Sequence, residues 1–126
     1  MERFYLNGIL WKVYYVPVSS PYLVDRTGNV RLATTDIRLH TIYIYKGLSG
    51  ELLRKVIVHE IGHAAMASFA LLDELHMFVK PQYWIEAEEW VCNLLADYGM
   101  SILSKGENLL GNEIRIVPMA IERALR

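Results

Sequence analysis

The sequence predicts an α+β fold, with an N-terminal antiparallel β-sheet packed on one buried helix and on a second helix that carries glutamates. Three observations predict it. β-Branched and aromatic runs concentrate before Lys46. From Val56 to Leu72 the only Asp, Glu, Lys or Arg is Glu60, the mark of a helix apolar on all sides and therefore buried. From about Gln82 to Ser104, glutamates and apolar residues recur at helical spacing.

The elements follow in chain order. Phe4-Tyr5-Leu6 and the run Ile9 to Val16 flank Asn7-Gly8. Both turn residues tolerate positive φ, so the pair predicts a tight hairpin. Pro17, Ser19, Ser20 and Pro21 end the second strand, and 17–29 reads as a loop closing at Thr27-Gly28-Asn29. Val30 to Thr35 predicts a further strand, Asp36 to His40 fits neither period, and Thr41 to Tyr45 is a strand. Lys46 to Gly50 is a turn. Ser49 suits the N-cap of the buried helix, with Glu51 in its first turn where the helix dipole favours a carboxylate. Gly62 lowers helix propensity by about 1 kcal/mol and lets another backbone come close. Asp73 to Pro81 reads as a loop or short helical turn. The second helix ends at Lys105 to Asn108. The tail predicts a strand over 113–117 and a short helix over 119–125, with Pro118 at its first position.

Composition narrows the function. The 126 residues read as a single domain, 1–126, long enough for a core. A hydrophobic content of 53% excludes a disordered chain. The net charge of −1 and the lack of a basic block argue against nucleic acid as a partner. Cys92 is the single cysteine, so no internal disulfide forms, which suits a reducing compartment. The N-terminal apolar run breaks too early for a signal peptide, and Ile61 to Leu72 is too short to span a bilayer. The expectation is a cytoplasmic protein with no membrane partner.

One stretch names a chemistry: His59-Glu60-Ile61-Gly62-His63. Helical residues turn by about 100°, so His59 and His63 stand about 40° apart on one face and both reach one metal ion. Glu60 projects beside them as a base for water. A catalytic zinc takes a third protein ligand and leaves a position open. The second helix supplies the choices. Glu86, Glu89 and Asn93 share one stripe, while Glu88 points about 100° away from Glu89, toward Val91, Cys92 and Leu95. Periodicity leaves Glu86, Glu88 and Glu89 all open.

The pentad followed by Glu89-Trp90-Val91-Cys92-Asn93-Leu94-Leu95-Ala96 resembles the gluzincin metallopeptidases. Within them it is most similar to the ImmA/IrrE-like and small phage- and prophage-type metallopeptidases, whose ligand helix reads roughly Glu-x-x-(Ala/Cys)-Asn-x-x-Ala. The resemblance covers about Thr41 to Gly99. It implies a small zincin-like domain, Zn²⁺ on His59, His63 and Glu89, Asn93 as a supporting partner, and Glu60 as the base. Gly99-Met100-Ser101 replaces the usual Leu-Met-Pro, and no helix-turn-helix domain is appended, so a regulatory role is not implied.

The expected reaction is hydrolysis of peptide bonds in a specific protein or peptide substrate. The alternative is a metal-binding regulatory or interaction module with the same fold and little turnover. Glu60 favours the enzyme, because a structural site needs no base. His40, His76, Tyr83 and Tyr98 are weak candidates for an oxyanion donor; for each, a core tyrosine or a surface histidine is the commoner reading, by about three to one. In zincins the strand before the active helix is commonly an edge that pairs with substrate, here Thr41 to Tyr45. Trp11, Trp84 and Trp90 read as core or groove-lining, and Cys92 as packing.

Overall fold

The computed structural model describes residues 1–111, 123–124 and 126. The strands expected early in the chain form one four-stranded sheet, and helices follow. β1 (Glu2–Leu6) and β2 (Ile9–Val16) are an antiparallel hairpin closed by the pair Leu6 and Ile9. Its two turn residues, Asn7 at φ 50° and Gly8 at φ 76°, adopt the left-handed backbone that Asn-Gly tolerates.

The rest of the sheet departs from the expectation in two ways. β4 (Thr41–Tyr45) runs parallel to β2, from the pair Lys12–Thr41 to Val16–Tyr45. The sheet is therefore mixed rather than antiparallel. β3 (Ala33–Asp36) pairs antiparallel on the far side of β4, giving the order β1-β2-β4-β3. Thr41 to Tyr45 is thus an inner strand, and the edges are β1 and β3. Parallel neighbours need a crossover, because the chain must return to the starting end. Here the loop after β2 and the descending β3 make that return. β4 takes the inner place because Ile42 and Ile44, each 1% exposed, bury fully only there. Its outward residue Tyr43 stacks on Tyr22 at 4.4 Å.

β3 begins later than the Val30 boundary. Val30 instead bridges to Val24, and the Arg31 N–H donates to the Leu23 carbonyl. Asp36 to His40 fits no period because Asp36 ends β3 and 37–40 is a turn. The Asp36 carboxylate accepts the N–H groups of Arg38 and Leu39, and His40 sits at φ 49°.

The core joins Trp11, Val13, Ala33, Ile42 and Ile44 of the sheet to Ala64 of helix α1 (Gly50–Ser68). Full burial of each large apolar side chain contributes about 1.5–3 kcal/mol. Trp11 is wholly buried, and its Nε1–H donates to Ser68 Oγ at 2.7 Å, tying the hairpin to the end of α1. Ser49 occupies the N-cap backbone position of α1, but its side chain makes no capping bond.

The helical half extends further than expected. Ala70 turns left-handed at φ 57°, and α2 (Leu71–Phe78) follows where a loop or short turn was expected. Asp73 and Glu74 interrupt the apolar run, but they lie in the first turn of α2, where the dipole favours them. α3 (Trp84–Leu94) passes through a π-helical segment, Leu95–Gly99, into α4 (Met100–Leu110). Gly106 does not stop the helix, since one glycine costs only about 1 kcal/mol. Gly111 does, at φ 61°. Trp84 is half-buried and Trp90 is 66% exposed, so Trp90 lies outside the core. The strand expected over 113–117 lies outside the described residues, as does most of the helix expected over 119–125. Among the described residues no single helix is long and apolar enough to cross a membrane. α1 and α2 reach that length only together, across an 87° bend.

Candidate metal centre

α1 lies against the sheet on one side and α3 on the other. Gly62 sets the second distance. A Cβ at this position would stand 3.1 Å from Cys92 Sγ and 3.5 Å from Cys92 Cα. With only hydrogen there, α3 closes on α1 and delivers its glutamates to the two histidines. Cys92 is fully buried at this contact.

His59 and His63 share one face of α1, with their Nε2 atoms 3.1 Å apart. Glu89 reaches both: Oε2 is 3.1 Å from His59 Nε2, and Oε1 is 3.1 Å from His63 Nε2. One donor atom from each of the three lies within 4.8 Å of the others, so the group can hold a metal ion. A tetrahedral ion with bonds of about 2.1 Å sets its donors about 3.4 Å apart; the two Nε2 atoms are 3.1 Å apart, and each has its own Glu89 oxygen at 3.1 Å. Two imidazole nitrogens and a carboxylate suit zinc, and also other divalent first-row ions.

The neighbouring glutamates separate by role. Glu88 is buried, and its Oε1 lies 2.7 Å from His63 Nδ1, on the ring nitrogen that faces away from the group. It orients the imidazole and fixes which nitrogen carries the proton. Arg26 Nη2 stands 3.9 Å from Glu88 Oε2. The loop that carries Arg26 is held by Asp25, which accepts the N–H groups of Thr27 and Asn29 and pairs with Arg31 at 2.6 Å. Glu86 is exposed and outside the group. Asn93 is also exposed, and no hydrogen bond links it to the ligands among the described residues, so the supporting role implied for it falls to Glu88.

Glu60 is 7% exposed. Thr35 Oγ1 of β3 donates to its Oε2 at 2.5 Å. Burial raises the Glu60 pKa, and the Thr35 hydroxyl offsets part of that rise. Hydrogen bonds from His59, then from His63, hold Glu89 well below the usual carboxylate range. Burial alone would lower the His63 pKa, but the Cys92 thiol and the Glu88 and Glu89 carboxylates overcome it, and the net shift is upward. The His63 ring thus lies between two carboxylates, Glu88 on Nδ1 and Glu89 on Nε2, which favour positive charge there. A cation held by the group would meet the same negative charge.

None of the expected oxyanion donors joins this group. His40 packs on Trp11 and His76 stacks on Trp84, while Tyr83 and Tyr98 are exposed. Two contributors were missed by sequence reasoning: Thr35, and Glu88 in its orienting role. Thr35 carries no motif and lies 25 residues from Glu60, so no spacing signals it. Glu88 was visible only as a rival ligand. No family model, curated protein or solved structure matches this chain.

Proposed function

We propose that the chain is a zinc-dependent endopeptidase of gluzincin type, acting on a specific protein or peptide. The observation that carries this reading is the buried carboxylate of Glu60, on the same helix turn as two of the three convergent donors. A structural metal site needs four ligands and no base; three ligands plus a carboxylate suit hydrolysis. When bound, zinc supplies Lewis acidity, which acidifies water and polarises a carbonyl. Glu60 accepts the proton of the attacking water and returns it to the leaving amine as the C–N bond breaks. Glu88 keeps His63 Nε2 turned toward the group. An extended substrate would add to the sheet edge at β3, whose Thr35 touches Glu60.

Glu60→Gln tests the reading. The variant keeps size and shape and loses the base. Mass spectrometry of host-lysate digests should show new peptide termini with the zinc-loaded wild type. With the folded, zinc-loaded variant, cleavage should fall by about 10²–10⁴-fold. Equal cleavage by the two proteins overturns the proposal. If biological activity survives Glu60→Gln but disappears with His59→Ala or His63→Ala, the metal-organised module is the correct reading.

A further inference from the structure

We infer that Thr35 is a positioning residue for Glu60, holding one carboxylate oxygen so that the other stays turned to water beside His59 and His63. The inference rests on the peptidase reading. Thr35 Oγ1 donates to Glu60 Oε2 at 2.5 Å and lies 3.4 Å from the Glu60 carbonyl oxygen. No other side chain among the described residues hydrogen-bonds this carboxylate. No buried side-chain polar atom among them lacks a partner. Glu60 Oε1 therefore keeps contact with solvent.

The geometry suits a fixed base. The terminal torsion of a glutamate has no sharp minima, so an unheld carboxylate rotates freely about its last bond. Thr35 removes that freedom from outside the helix. Its own χ1 is restricted by β-branching, and its backbone is held in register opposite Ile42, which is 1% exposed. The hydroxyl thus comes from a rigid strand, and the carboxylate plane is set relative to the two histidines one residue before and three after it. Because β3 is an edge of the sheet, the strand that holds the base is also one to which an extended substrate could add.

A purely structural role is the competing account: the hydroxyl would only satisfy a buried carboxylate. Steady-state kinetics on the zinc-loaded full chain separate the two, using the peptide best cut by the wild type from a proteome-derived peptide library. In Thr35→Val the hydroxyl is replaced by a methyl of the same shape. Its kcat should fall by about 10- to 100-fold, the scale of a small misplacement of a reacting group. KM and zinc content should stay near wild type. Thr35→Ser, which keeps the hydroxyl, should restore most of the rate, and Thr35→Ala should behave like Thr35→Val. Wild-type kcat in folded Thr35→Val overturns the inference and leaves the peptidase reading intact. So does a folded Thr35→Ser no faster than Thr35→Val. Loss of fold in both Thr35→Val and Thr35→Ala makes the contact structural and also overturns it. A zinc-loaded wild type that cuts no peptide overturns the peptidase reading itself, and the positioning role with it.

Discussion

At the scale of single residues, adjacent glutamates on one helix turn meet different atoms. Glu89 faces the Nε2 atoms of both histidines, while Glu88 faces Nδ1 of one. A ligand and the group that orients a ligand respond differently to removal. His63→Ala and Glu89→Ala should lose bound zinc, measured by elemental analysis after purification without chelator. Glu86→Ala should keep it. Glu88→Ala should still bind, but with affinity lowered by about 10–100-fold, since the imidazole loses the partner that fixes its tautomer. Complete loss in Glu88→Ala with full retention in Glu89→Ala would exchange the two assignments.

At the scale of elements, the site depends on how closely two helices pack. Gly62 is a contact point of α1 on the helical stretch that carries Glu89, and a Cβ there would meet the buried Cys92 Sγ at 3.1 Å, Leu95 Cδ1 at 3.3 Å and Cys92 Cα at 3.5 Å. The Leu95 methyl can give way, but the short, fully buried Cys92 side chain has little room to do so. Gly62→Ala gains about 1 kcal/mol in helix propensity, but overpacking costs about 1–3 kcal/mol. The helices should part by a few tenths of an ångström, carrying Glu89 away from His59 and His63. The expected result is a protein of similar or lower melting temperature that binds zinc more weakly, checked by calorimetry with and without metal. Unchanged zinc affinity would show that α3 reaches the histidines without this contact. The parallel pairing of β2 and β4 matters in the same way. It puts β4 inside and leaves β3, with Thr35, at the rim next to Glu60.

At the scale of the whole molecule, a proton and any metal ion held by the group would compete for one cluster, and this links stability to pH. In the metal-free protein the His63 pKa is raised from 6.5, so its contribution to stability is complete below 6.5 and is lost as pH rises toward the folded value. The Glu89 pKa is lowered from 4.5, so its contribution is complete above 4.5 and is lost as pH falls. Glu60, raised by burial, adds a cost as pH climbs above its ordinary value of 4.5. Chelated protein should therefore melt highest between about pH 4.5 and 6.5 and lose stability toward pH 8. Metal must displace the His63 proton, so zinc should bind more tightly as pH rises, and the zinc-loaded protein should not share that alkaline decline. Thermal melts across this range, with zinc and with chelator, check both signs. Parallel profiles would mean that His63 does not hold the competing proton.

The sequence by itself determined what depends on near neighbours along the chain. Asn7-Gly8 closes a hairpin because both residues accept positive φ, wherever the hairpin later packs. His59 and His63 share a face because the helix repeat is fixed, and the shortage of charge around them dictates that the helix is buried. Gly62 marks a close approach without naming the partner. The tertiary structure alone decided what depends on long-range pairing. Strand order was hidden because Thr41 to Tyr45 is apolar enough for an inner or an edge place, and only its competition with Ala33 to Asp36 settled the matter. The end of α4 was hidden because the same residue, glycine, can be carried within a helix at 106 or stop one at 111. The choice among Glu86, Glu88 and Glu89 rests on how far α3 rotates against α1, set by the Gly62–Cys92 contact. A periodicity argument places residues around one helix axis, but it does not orient that axis toward a second helix. Thr35 was invisible for the same reason: its partner is brought to it by the sheet and not by any spacing in the chain.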